Sequence, residues 1–107
     1  MQEAADWKVL HNQSRHRFEI DLGDGTLALL AYVPRDRTLS LVHTEVSAPW
    51  EGRGIAARLS QAAMQYAREA GLTVIPSCPY VQEFLRHHPE YMPLVDPAFA
   101  QIFQSRG

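Results

Sequence analysis

Cysteine is almost absent from this chain: Cys78 is the single thiol in 107 residues. One thiol cannot build an internal disulfide framework or a multi-cysteine zinc site. A free thiol fits a reducing cytosol. No apolar run approaches the length that spans a bilayer. The first residues, MQEAADWKV, have neither a basic start nor an apolar stretch after it, so they do not read as a secretory leader. Basic residues are few, with ten Lys and Arg against twelve Asp and Glu and a formal charge of −2. That balance lacks the basic stripe of a nucleic-acid binder. Internal repeats, low-complexity tracts and linkers are also missing. What is present suits one domain over residues 1–107, with 46% hydrophobic and 21% charged residues, enough for a single modest core. The expectation is a cytoplasmic protein, a monomer or weak dimer, with no membrane or nucleic-acid partner.

Residues 1–5 read as a frayed end, Trp7–Leu10 as a short strand or lead-in, and His11–Ser14 as a turn. Arg15–Leu22 alternates. His16, Phe18, Ile20 and Leu22 take one face, and Arg15, Arg17, Glu19 and Asp21 take the other, as in a strand with one wet face near a sheet edge. Gly23-Asp24-Gly25 makes a hairpin turn. Thr26–Val33, TLALLAYV, is nearly continuous in apolar residues, which predicts a central strand covered on both faces. Pro34–Arg37 turns the chain. Thr38–Val46 is the third strand, with Leu39, Leu41, His43 and Glu45 on one face and Ser40, Val42, Thr44 and Val46 on the other.

A helix is predicted from Gly52 to Ala70, because Ile55, Leu59, Ala62, Ala63, Tyr66 and Ala70 keep helical spacing. Gly71 is its C-cap signal. Leu72–Ile75 is a short strand ended by Pro76, so strand, helix and strand form a parallel crossover unit. Pro79 suits the first position of a second helix and makes Cys78 its N-cap. Val81, Phe84 and Leu85 point inward, and His87, His88 and Pro89 end it. Glu90–Asp96 reads as irregular and Pro97–Gln104 as a last short helix. The fold class is α/β (α+β): an antiparallel meander extended by one parallel strand through a crossover helix.

The chemistry concentrates in residues 43–56, HTEVSAPWEGRGIA. Gly52 and Gly54 flank Arg53 where the amphipathic pattern begins. Free backbone N–H groups, the positive end of a helix and a guanidinium make an anion site. No lysine followed by Ser or Thr comes after the glycines, so this is not a P-loop. It is not a GxGxxG turn either, which argues against a dinucleotide fold. The segment resembles the acyl-CoA-binding loop of the GNAT superfamily of N-acetyltransferases. That loop has Gln or Arg, two residues, Gly, one residue, then Gly or Ala. Glu51-Gly52-Arg53-Gly54-Ile55-Ala56 matches at Gly54 and Ala56 and departs at Glu51. With RFEI, LxLVHTEV and IPSCPYVQEFLRHHPEY, the resemblance covers residues 11–95. Together these are similar to the compact, stand-alone GNAT-like domain, the YjdJ-like subgroup.

That resemblance implies binding of acetyl-CoA or coenzyme A and transfer of acetyl to an amine, on a small molecule or a protein. It implies that Thr44 and Val46 meet the pantetheine arm through their backbone. The amides of Gly52, Arg53, Gly54, Ile55 and Ala56 hold the pyrophosphate, and the strand at Leu72–Pro76 lines the other side. The chain is shorter than a full domain of this superfamily, which implies an open acceptor site. A second reading is a CoA-binding or acyl-sensing module with little or no turnover, which Glu51 favours.

Four side chains are weighed for catalytic roles, with Cys78, His43 and Glu45 the leading candidates. Cys78, at a helix N-cap, either accepts the acyl group, lines the site, or packs as a small hydrophobe. His43 and Glu45 act as base and orienter, or are a core histidine and a surface carboxylate. Tyr80 protonates the departing thiolate or packs on the sheet. Trp50 covers the coenzyme or packs the turn. His87 and His88 are adjacent on a helix and do not converge on a metal, so no metal is expected.

Overall fold

Five strands make one mixed sheet in the computed structural model, which describes residues 7–105. They are β1 (Leu10–Asn12), β2 (Arg17–Asp21), β3 (Leu27–Arg35), β4 (Thr38–Glu45) and β5 (Thr73–Pro76), side by side in that order. The first four are antiparallel neighbours and β5 runs parallel to β4. Helix α1 (Ile55–Ala70) makes the crossover, and α2 (Pro79–His87) and α3 (Pro97–Ser105) follow it. The expected meander and parallel extension are both present. The reading of residues 1–5 as a frayed end lies outside the described residues.

The core forms between one sheet face and the helices. Phe18, Ile20, Ala28, Leu30, Tyr32, Leu39 and Leu41 meet Ile55, Leu59, Ala63, Met64 and Ala67 of α1, all buried. Each large aliphatic side chain buried there contributes about 1.5–3 kcal/mol. Helix α2 packs beside α1 and adds Val81, Phe84 and Leu85 to the same cluster. Gly71, at φ 72, ends α1 in the left-handed conformation its C-cap demands.

Several boundaries differ from the sequence expectation. His11 and Asn12 belong to β1, the edge strand, not to a turn. The turn is a 3-10 segment at Gln13–Arg15, where the Asn12 side chain accepts from the Arg15 N–H at 3.2 Å. His16 closes it with φ 55, so β2 begins at Arg17 and not at Arg15. Glu19 is buried rather than wet. Asn12 from the edge strand donates to its carboxylate at 3.1 Å, and the Arg17 guanidinium pairs with it. A buried carboxylate needs such partners. Strand β3 continues through Pro34 and Arg35, and the turn shrinks to Asp36 and Arg37, with Asp36 at φ 52. Strand β5 starts at Thr73 rather than Leu72, and Pro76, paired with Leu41, is its last residue and ends it as expected. Helix α1 begins at Ile55, because Gly52 and Gly54 both have φ 81.

Strand β3 is not covered on both faces. Ala28, Leu30 and Tyr32 are buried, while Leu27 and Val33 are 43% and 48% exposed on the other side. An apolar run does not encode how many layers will cover it.

The faces of β4 also differ from simple alternation. Ala31 pairs with His43 but Tyr32 pairs with Leu41, so Val42 has no counterpart on β3. This one-residue bulge reverses the alternation. Leu39 and Leu41 point into the core, whereas His43 and Glu45 share the outer face and Thr44 turns inward. The expectation that all four odd residues share a face is therefore corrected.

Candidate functional site

Strands β4 and β5 run together only as far as Leu41 and Pro76. One further bond, from Ser77 N–H to the Leu41 carbonyl at 3.0 Å, ends their contact. Pro76 carries no N–H to continue a ladder, and Pro79 starts α2, so the chain turns away. Past Leu41, β4 has β3 on one side and, among the described residues, no strand on the other. The two strands thus open into a split, with Thr44 and Cys78 on its inner side. The Thr44 hydroxyl and the Cys78 thiol are 3.1 Å apart, both buried. Cys78 is the N-cap residue of α2, as expected, but its side chain makes no capping bond. The sulfur faces Thr44 instead.

The segment from Val46 to Ile55 joins this split to the start of α1. Two backbone bonds shape it, Trp50 N–H to Ser47 at 2.8 Å and Glu51 N–H to Ala48 at 3.2 Å. The first bond inside α1 runs from Arg58 N–H to the Gly54 carbonyl at 3.0 Å. The N–H groups of Ile55, Ala56 and Ala57 therefore precede the helical ladder. All three residues line a 270 Å³ cavity with Gly52, Gly54, Glu51, Trp50, Val46 and Tyr80. A second cavity, 410 Å³, is lined by Leu27, Thr44, Glu45, Val46, Ser47 and Tyr80. Val46 and Tyr80 border both, so the cavities form one groove from the helix start to the mouth of the split. Amide donors at the positive end of a sixteen-residue helix, with a glycine-bent approach, fit a pyrophosphate. Apart from its chain neighbours, no atom of the described residues lies within 4 Å of where a Cβ on Gly52 would sit, so that side of the loop is open.

The expected site residues fall into three groups. The loop residues Gly52, Gly54, Ile55 and Ala56 gather with Val46 along the groove. Arg53 belongs to the loop, but its guanidinium lies 5.0 Å from the centre of the Trp50 ring. His43 and Glu45 form a pair, Nε2 to carboxylate at 2.8 Å, with side chains 58% and 62% exposed. Cys78 pairs with Thr44 on the opposite side of the sheet. His43 and Glu45 are thus brought to each other and not to Cys78. His87 bonds Glu83 at 2.8 Å, and no group of three metal-ligating side chains occurs among the described residues.

Tyr80, weighed from the sequence as a proton donor to the departing thiolate or as an aromatic packed on the sheet, borders both cavities. One residue, Asp24, reads from the sequence only as part of a hairpin turn and is given no part in this site. Asp24 accepts from the Trp50 indole N–H at 3.0 Å across 26 residues of chain. Hydrogen bonds from the Thr26 side chain, and then from Trp50, hold its pKa below the usual carboxylate value.

Comparison with known proteins bears on the family and the fold. Residues 17–94 match the model of the GCN5-related N-acetyl-transferase family. Protein NATD1 of Xenopus tropicalis is 32% identical over 102 residues, covering 91% of this chain and 93% of that one. Protein NATD1 of Danio rerio is 37% identical over 90 residues, covering 79% and 81%. The fold matches the NMR structure of a GCN5-like protein from Staphylococcus aureus with a TM-score of 0.66 and 26% identity, covering 86% of this chain and 90% of that one. The chain belongs to the GCN5-related N-acetyltransferase family.

Proposed function

We propose that this protein binds acetyl-CoA in the groove and transfers its acetyl group to an amine. The observation that carries the reading is the continuity of the groove. It leads from unpaired amides at the start of α1, past Val46 and Tyr80, to the split between β4 and β5. A long flexible thioester with an anionic middle fits that shape. The coenzyme supplies the activated acetyl group. The amides around Gly54, Ile55 and Ala56 bind the pyrophosphate, and the free backbone edge at Thr44 of β4 and at Val46 just past its end orients the arm beside it.

Glu45 borders the groove and is bonded to His43. This pair takes the proton from the amine nitrogen as it attacks. The amine comes from the exposed outer face, where the pair sits. We assign Cys78 to lining the split, because its sulfur is buried beneath Thr44. Direct transfer is accordingly favoured over an acyl-cysteine relay. A CoA-binding module with little turnover is the second reading. It is supported by Glu51, a carboxylate on the cavity wall where a pyrophosphate would sit.

Calorimetric titration with CoA tests the shared part of both readings. Wild type should release heat at one site, and Gly54→Glu should abolish it by placing a charged side chain on a φ 81 residue of the loop. Thiol release with amine acceptors then separates turnover from binding alone. A wild-type protein that shows no heat and no thermal shift with CoA would refute both.

A further inference from the structure

We propose that Asp24 is a positioning residue for the coenzyme loop and acts through Trp50; the inference rests on the CoA reading of the groove. Asp24 sits at the tip of the β2–β3 hairpin, between Gly23 and Gly25 at φ 85 and 89. One carboxylate oxygen accepts from the Thr26 backbone N–H at 3.1 Å and from the Thr26 hydroxyl at 2.5 Å. The other accepts from Trp50 Nε1 at 3.0 Å. Both oxygens are therefore committed, one to shaping the hairpin and one to holding the indole.

Trp50 ends the 3-10 segment Ala48–Trp50 and stands two residues before Gly52. Its ring carries the Arg53 guanidinium on its face and meets Trp7 edge-on at 5.6 Å between centroids. The ring is also part of the cavity wall. The loop beyond it contains two glycines in the left-handed region, which have wide conformational freedom when nothing restrains them. An anion site works only when its amides converge, and ordering them at the moment of binding lowers affinity. A charge-assisted bond from a separate, turn-ordered hairpin fixes one end of that loop before the ligand arrives. The start of α1 fixes the other end. The ordered loop then presents the Gly54–Ala57 amides and the Arg53 cation in one arrangement.

The test uses wild type, Asp24→Ala, Asp24→Asn, Trp50→Phe and the Asp24→Ala/Trp50→Phe double variant. Asparagine keeps the size of Asp24 but offers one acceptor oxygen and an NH₂ group, so either Thr26 or Trp50 loses its acceptor. Each single variant should weaken CoA binding about tenfold, and the double variant should be no weaker than Asp24→Ala. Without ligand, the Gly52 and Gly54 amide resonances should move in Asp24→Ala and in Trp50→Phe. A general loss of folding would not confine the change to these amides. Unmoved Gly52 and Gly54 amides in Asp24→Ala, or additive effects in the double variant, overturn the inference. Failure of wild type to bind CoA overturns the functional reading instead, and the amide resonances alone then decide the role of Asp24.

Discussion

Thr44 and Cys78 meet across the inner side of the strand split, hydroxyl to thiol at 3.1 Å, though they are 34 residues apart. That contact makes the thiol part of the packed wall and leaves Thr44 nearest the groove, which it borders.

Cys78 should resist acylation and alkylation. Intact mass after exposure to acetyl-CoA should show no acetyl addition at Cys78. Thr44→Ala should speed alkylation of the thiol by uncovering it. Cys78→Ala should lower stability by about 1 kcal/mol, the value of a small buried group, and retain acetyl transfer. Loss of transfer in Cys78→Ala, together with an acetylated wild type, would favour the relay.

His43 and Glu45 should govern turnover without affecting coenzyme binding. Glu45→Gln or His43→Ala should reduce kcat by about 10²–10⁴-fold, with CoA affinity nearly unchanged. Because both side chains are more than half exposed, stability should change by less than about 0.5 kcal/mol. The effects of the two substitutions should not add, since they remove one unit. Unchanged kcat in both variants would move the proton acceptor elsewhere.

His11 should make stability fall in mild acid. Its Nε2 is bonded to the Tyr32 hydroxyl at 2.5 Å, and its ring stacks on Phe18 at 4.2 Å. Burial lowers its pKa below 6.5. The unfolded chain therefore takes up a proton first as pH falls. The contribution is complete above 6.5 and is lost as pH drops from there through the lowered folded value. Urea unfolding at about pH 7.5 and about pH 5.5 should show the difference. His11→Phe should remove this part of the slope, and an unchanged slope in that variant would assign it to other groups.

Much of the fold was legible because it rests on local rules. The alternation of Phe18 and Ile20, the two-glycine hairpin tip, the helical stripe from Ile55 and Leu59 onward and the Pro79 helix start each need only neighbouring residues. Glu19 misled because its partners come from another strand and from two residues along its own. His43 and Glu45 keep the face they share, but the face shared with Leu39 and Leu41 was wrong. A strand's alternation carries no mark of where a partner strand will skip a residue.

The sequence by itself determined that a helix start would follow a strand, that Gly52 and Gly54 would shape the approach to it, and that Cys78 would stand at the N-cap position of the next helix. These are properties of short stretches, set by backbone freedom and side-chain spacing. Only the tertiary structure decided that Val42 bulges, that His43 and Glu45 look outward while Thr44 covers Cys78, and that Asp24 reaches Trp50. The reason is physical. Side-chain direction along a strand has a period of two, so one unpaired residue reverses every position after it. Contacts between segments 26 and 34 residues apart exist only once the sheet register and helix packing have brought them together.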